Sequence, residues 1–101
     1  MKLVRDKIPK IIEDSGRKCK YHIAKIPEYN LSLYDKVLEE MTEFMEYPCV
    51  EEAADIYEVF LALLRNSGIE YQDVKDVAAA KREERGGFSI GYILEEVEKK
   101  T

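Results

Sequence analysis

Apolar residues recur at helical spacing along most of this chain. Before Pro48 they stand three or four positions apart, at Tyr34, Val37, Leu38, Met41, Phe44 and Met45. After the proline the same spacing returns, at Ala53, Tyr57, Phe60, Leu61 and Leu64. This period is typical of amphipathic helices, and a proline between two such runs ends one helix before the next begins. The pattern therefore predicts helices over residues 29–47 and 50–66, which a short turn makes antiparallel neighbours.

Weaker helical patterns lie on both sides of this pair. Residues 3–15 predict a first helix with Pro9 near its start. Residues 71–84 predict a last one, which ends at Gly86-Gly87 because glycine ends helices readily. Asn30 or Ser32 is the expected cap of the first long helix.

Two short segments alternate between apolar and polar residues, at 19–23 and 88–94. Alternation is typical of strands, and the two segments could pair with each other. The predicted fold is therefore all-α, a helical bundle around an antiparallel helix pair, with room for a small two-stranded β appendage. At 101 residues, the chain has the length of one domain, covering 1–101.

Two acidic clusters flank the predicted turn. Glu43 and Glu52 are equally distant from the turn, and so are Glu40 and Asp55. Antiparallel pairing therefore brings four carboxylates towards one place, and Glu52 falls in an apolar column of its helix. Carboxylates crowded near a core repel each other and are costly to desolvate. A hard divalent cation resolves this, which predicts a Mg²⁺ site, with Mn²⁺ as a substitute.

The alternative is that these acids are ordinary solvated residues on helix surfaces, which is common in chains rich in charge. It is the preferred interpretation for Glu39, Glu46 and Glu51. For Glu39 it also competes with a role in catalysis. It is less attractive for the four converging acids, because Glu52 interrupts the apolar pattern.

Four sequence stretches together resemble a known family. They are EEMTE at 39–43, EAAD at 52–55, LVRDKIPKII near the start and KREERGGF near the end. This combination is similar to the MazG-like all-α nucleoside triphosphate pyrophosphohydrolases, and in particular to their phosphoribosyl-ATP pyrophosphohydrolase-like subgroup. The gap between the two acidic clusters is shorter than in MazG itself, which trims the connecting loop.

The resemblance implies a hydrolase that cleaves a nucleoside triphosphate to the monophosphate and pyrophosphate, as in house-cleaning of the nucleotide pool. Its metal ligands would be Glu40, Glu43, Glu52 and Asp55. Glu39 or Glu43 would be the catalytic base. The candidates for binding the substrate phosphates are Arg5, Lys7, Lys81 and Arg85. An equally good alternative for Arg5 and Lys7 is that they are solvated and paired with nearby acids. Lys81 and Arg85 are helix neighbours beside a di-glycine, although basic residues in a last turn can also simply offset the helix dipole.

Bulk properties narrow the function further. The net charge of -5 argues against binding a nucleic-acid polymer, which requires a basic surface. The charged N-terminus and the lack of a long apolar run predict a cytoplasmic protein that does not span a membrane. Cys19 and Cys49 lack metal-ligand spacing and are expected to be reduced. Because residues 56–64 are apolar on almost every side, a homodimer whose interface includes this helix is expected. The resemblance implies a homodimer or homotetramer.

Two other functions remain open from the sequence. One is hydrolysis of phosphoribosyl-ATP in histidine biosynthesis. The other is a non-catalytic helical module that binds a metal ion or a protein partner. The acidic pattern is compatible with both, because base recognition depends on the shape of a pocket that these motifs do not determine.

Overall fold

The computed structural model describes residues 1–99, and within them the fold is all-helical. Its elements are α1 (Ile8–Asp14), α2 (Glu28–Glu46), α3 (Val50–Asn66) and α4 (Tyr71–Arg85). The chain divides into two compact units, one ending at Ile69 and the other beginning at Glu70. The helix pair α2–α3 belongs to the first unit and α4 to the second. The predicted all-α fold is thus confirmed.

Helices α2 and α3 pack against each other across a three-residue turn. Tyr47 leaves the helical region with φ −143° and ψ 80°, as expected for a residue that precedes proline. Cys49 is fully extended, and α3 begins directly after it. The proline therefore separates the two helices as the sequence predicts, and the short turn makes them antiparallel neighbours.

The predicted register of the pair is visible at its far end. Asn30 and Asn66 are almost equally distant from the turn, and Asn66 Nδ2 donates a hydrogen bond of 2.7 Å to Asn30 Oδ1. Leu33 and Leu64, the two buried apolar residues among those described, lie in the same half of the pair. The two helices therefore pair in the predicted register.

The helix starts differ from the sequence predictions. α1 begins at Ile8 rather than near residue 3, because Pro9 fits only the first turn of a helix. α2 begins at Glu28, and its N-cap is Pro27, which makes no side-chain hydrogen bond. The prediction of Asn30 or Ser32 as the cap was therefore wrong. Asn30 is used instead for the bond to α3.

No strand forms within residues 1–99, so the alternating segments at 19–23 and 88–94 do not build the appendage for which the sequence left room. An alternating segment needs a partner for its backbone groups before it becomes a strand. Cys19 instead lies against the first helix, with its Sγ 3.8 Å from the carbonyl oxygen of Pro9. Cys19 and Cys49 are both free thiols, as predicted.

A line of apolar side chains on α2 faces solvent. Its members recur three and four residues apart and are 43% to 75% exposed: Leu31, Tyr34, Leu38, Met41 and Met45. We call these five residues the α2 stripe. Their spacing is that of a helix–helix seam. The α2–α3 pair therefore has a second apolar surface, which is exposed to solvent.

Helix α4 runs from Tyr71 to Arg85 and ends where Gly86 adopts φ +84°. Glycine takes this left-handed conformation without steric cost, which explains the end of the helix at this point. None of the helices within residues 1–99 combines the length and the apolar character needed to cross a membrane.

Candidate metal centre

Three carboxylates converge between α2 and α3, about two helical turns from Pro48. Glu40 comes from α2, whereas Glu52 and Asp55 are one turn apart on α3. One oxygen of each lies within 4.8 Å of the other two. We call these residues the acidic triad. Spacing of three residues puts Glu52 and Asp55 on one side of α3, and the antiparallel register puts Glu40 opposite them.

Glu40 is the most unusual member of the acidic triad, because it is a carboxylate that is only 5% exposed. Its Oε1 accepts from Lys36 Nζ at 3.2 Å, but its Oε2 is buried without a hydrogen-bond partner. Glu52 Oε2 is also buried without a partner. A buried polar atom left unsatisfied costs about 1–3 kcal/mol, and more when it is charged. A cation bound by both carboxylates would satisfy these two oxygens.

Lys36 lies beside the triad, its side chain is 15% exposed, and it contacts two carboxylates. Its Nζ is 3.1 Å from Glu39 Oε2 and 3.2 Å from Glu40 Oε1. Burial alone would lower the pKa of Lys36, but its hydrogen bonds and the charges of both acids raise it overall. The hydrogen bond from Lys36 lowers the pKa of Glu39. The ammonium is therefore firmly charged.

The pKa of Glu40 moves in the opposite direction to that of Glu39. Burial raises it, the hydrogen bond and charge of Lys36 oppose the rise, and the charges of Glu43 and Asp55 add to it. The net result is a pKa above the usual range for a glutamate. Glu40 is thus a carboxylate whose ionised form lacks full compensation within the chain.

The N-terminal segment, residues 1–7, supplies two further cations. Arg5 Nη2 lies 2.7 Å from Asp55 Oδ1, and Lys2 Nζ lies 3.5 Å from Glu39 Oε1. These contacts join the segment to both α3 and α2. Arg5, which the resemblance suggests as a phosphate ligand, therefore lies at the edge of the acidic triad within the same chain.

The other residues that the sequence predicts for the site lie outside the acidic triad. Glu43 is exposed and is not among the three carboxylates of the triad, although its charge acts on Glu40. Glu39 is held by Lys36 and Lys2. The others are exposed: Lys7 at the N-cap of α1, and Lys81 and Arg85 on α4 in the second unit. Their roles in binding substrate stay predictions.

Sequence reasoning missed two residues of this centre, Lys36 and Lys2. Lys36 precedes Glu39 by three positions and Glu40 by four, which is the spacing of contacting side chains on a helix. That signal was present in the sequence. Lys2 carried no comparable signal, because its contact depends on the path of a segment without helical structure.

The donor set suits a hard divalent cation. All three triad residues offer carboxylate oxygens, which Mg²⁺, Mn²⁺ and Ca²⁺ prefer, and no sulfur or imidazole ligand belongs to the group. A magnesium ion binds to few carboxylates and retains positions for water and phosphate oxygens. The acidic triad could therefore hold a divalent cation.

Comparison of the chain with protein-family models, with curated proteins and with solved structures gave no match. The case for a function therefore depends on the geometry of this centre and on the motifs of the sequence.

Proposed function

We propose that this protein is a Mg²⁺-dependent pyrophosphohydrolase that cleaves a nucleoside triphosphate, or a related nucleotide, to the monophosphate and pyrophosphate. The observation that carries the proposal is the buried Glu40 carboxylate, whose Oε2 has no partner and which lies against Glu52 and Asp55. Such an arrangement is costly unless a cation binds it. The motif resemblance supplies the choice of bond, and house-cleaning of the nucleotide pool is the role that follows.

Glu40, Glu52 and Asp55 would hold the ion, with Glu43 at the rim of the site. A bound Mg²⁺ would polarise a phosphoryl oxygen and stabilise the charge that develops during displacement at phosphorus. Arg5 Nη2 lies 2.7 Å from Asp55 Oδ1, and a guanidinium can exchange a carboxylate for a phosphate, to which it can donate two parallel hydrogen bonds. It is thus the best-placed cation for the substrate phosphates within the first unit.

Of the two candidate bases, the geometry favours Glu43 over Glu39. Glu39 accepts from Lys36 and pairs with Lys2, and the pKa of Glu39 is lowered. A carboxylate held in this way is a weak acceptor for the proton of an attacking water. Glu43 is exposed, and its charge acts on Glu40. Glu43 is therefore the better candidate for the base.

The deciding experiment is a pyrophosphate-release assay over the common nucleoside triphosphates and phosphoribosyl-ATP. We expect turnover of at least one nucleoside triphosphate with Mg²⁺ or Mn²⁺ and none in excess chelator. Turnover of phosphoribosyl-ATP alone would assign the protein to histidine biosynthesis. Binding of Mn²⁺ without turnover of any nucleotide would indicate a non-catalytic module. Activity undiminished by chelator would contradict the metal site.

We also propose that the protein is a homodimer that buries the α2 stripe, either alone or as half of a homotetramer. Five large apolar side chains in one line form a patch that isolated chains rarely expose. Light scattering should give at least a dimer for the wild type and a smaller species for Leu38→Lys. Ile11→Lys is the control, since Ile11 is 56% exposed but lies on α1. A monomeric wild type would refute the proposal.

A further inference from the structure

Lys36 differs from an ordinary surface lysine in both its burial and its partners. Its side chain is 15% exposed, and Nζ donates to Glu39 Oε2 and also lies 3.2 Å from Glu40 Oε1. Glu39 is held from another side by Lys2, at 3.5 Å. A side chain with four rotatable bonds has thus lost most of its freedom, which costs conformational entropy. This entropy cost arises beside one member of the acidic triad.

The contact has a geometric consequence for Glu40. A carboxylate is planar, so a partner on one oxygen restricts the direction of the other. Lys36 occupies Oε1, and Oε2 remains buried with no hydrogen-bond partner. An oxygen of Glu40 lies within 4.8 Å of an oxygen of Glu52 and of Asp55. The lysine therefore leaves Glu40 with one oxygen occupied and one available.

We propose that Lys36 is a positioning residue for the metal centre, which fixes the Glu40 carboxylate so that its second oxygen is free to bind a divalent cation. This inference rests on the metal site of the proposed function. Lys36 Nζ lies 3.2 Å from Glu40 Oε1, whereas Glu40 Oε2 is buried without a hydrogen-bond partner. Loss of a group that orients a metal ligand typically weakens metal affinity or activity about 10- to 100-fold.

The sign of the effect separates positioning from simple charge compensation. The positive charge of Lys36 repels a cation at the triad, so removing the charge alone would tighten metal binding. Removing a partner that orients the Glu40 carboxylate would weaken metal binding. The two roles therefore predict opposite changes when the ammonium is deleted.

The test measures the dissociation constant of Mn²⁺ by electron paramagnetic resonance, without nucleotide, so that catalysis does not enter the result. We expect Lys36→Met to weaken binding about 10-fold, the scale found for partners of metal ligands. Lys36→Arg, which keeps the charge and can donate to both acids, should recover most of the affinity. Lys10→Met is the matched control, because Lys10 pairs with Asp14 at the same spacing, 3.2 Å apart, on exposed α1.

Binding by Lys36→Met that equals or exceeds that of the wild type would overturn the proposal, and so would an equal loss in Lys10→Met. A wild-type protein that binds no Mn²⁺ would overturn the proposed function as well, which distinguishes the two failures. Circular dichroism checks that each variant folds. If Lys36→Met does not fold, Lys36→Gln replaces it. Its amide is uncharged and shorter, so we again expect binding to weaken, and equal or tighter binding again overturns the proposal.

Discussion

The two ends of the α2–α3 pair are built on opposite principles. The end far from the turn holds the buried Leu33 and Leu64 and the bond between Asn30 and Asn66, so its apolar and polar groups are matched within the chain. The end near Pro48 holds the acidic triad, with two buried oxygens that have no partner. The far end stabilises the pair and the near end costs stability. A costly arrangement that the fold retains is typical of a functional site.

The near end is only partly compensated from within the chain. Lys36 and Arg5 each pair with one carboxylate of the triad, Glu40 and Asp55 respectively. Glu52 Oε2 and Glu40 Oε2 are left. The chain thus supplies enough positive charge to assemble three acids, but not enough to satisfy all their oxygens. The difference between the two ends can be tested by substituting residues at each end.

The largest expected effect is the loss of activity in Glu52→Gln. The substitution keeps the size of the side chain but removes a charged oxygen ligand from the triad, so the metal is held weakly and pyrophosphate release should fall more than about 100-fold, beyond the range for indirect partners of a metal. The measurement is the release assay at saturating Mg²⁺. Glu51→Gln is the control, since Glu51 is the exposed neighbour on the same helix. Equal losses in both variants would show that the triad is not the site.

Much of this comparison could be predicted from the sequence, because it depends on local periodicity. Pro48 determines where α2 and α3 separate, and the short turn determines the antiparallel register. Glu40 and Asp55 then face each other by counting from the turn, as the structure confirms. The buried position of Glu40 was less clear, since it borders the apolar stripe in the helical projection, and packing decided it.

The contacts that could not be predicted are those made over long separations in the chain. Arg5 meets Asp55 because the segment before α1 passes beside α3, and no local pattern determines that path. The segment at 19–23 failed as a strand for a related reason, since alternation indicates a preference but does not supply a partner. Local pattern therefore gave the helix pair, whereas the surroundings of the site required the fold.

A second prediction compares the stability of the two ends directly. Leu33→Ala should lower the free energy of unfolding by about 2–5 kcal/mol, because Leu33 is 1% exposed and its truncation leaves a cavity. Without metal, Glu52→Gln should leave the free energy of unfolding unchanged or raise it, because one repelling charge is removed. Urea unfolding in chelator measures both.

Leu94→Ala is the control for the leucine, since Leu94 is 79% exposed and its truncation should cost less than about 0.5 kcal/mol. If Glu52→Gln destabilises the metal-free protein as strongly as Leu33→Ala does, the near end contributes to stability and the contrast between the ends is lost.

A third prediction concerns metal addition to the wild type. A cation that binds only the folded chain at ten times its dissociation constant should add about 1.4 kcal/mol to the free energy of unfolding. Thermal unfolding with Mg²⁺ against chelator should show the rise, and Glu52→Gln should lose most of it. An equal rise in both proteins would mean that the ion acts elsewhere, for example by screening the net charge.

The smallest expected effect is a dependence of stability on pH, which isolates Glu40. Its pKa in the folded protein is raised above the usual value of 4.5, chiefly by burial. The folded chain therefore holds this proton more tightly than the unfolded chain does. The contribution of Glu40 to the free energy of unfolding is fully present below pH 4.5 and is lost as the pH rises through the raised pKa.

In chelator, the unfolding free energy of the wild type should fall relative to that of Glu40→Gln over this window, by less than about 1.4 kcal/mol per pH unit. Titrating groups that do not interact with Glu40 cancel in the difference, and the lowered pKa of Glu39 acts below pH 4.5. A difference that stays flat with pH would show that Glu40 is fully compensated by Lys36, and would remove the electrostatic reason for a cation at this end of the pair.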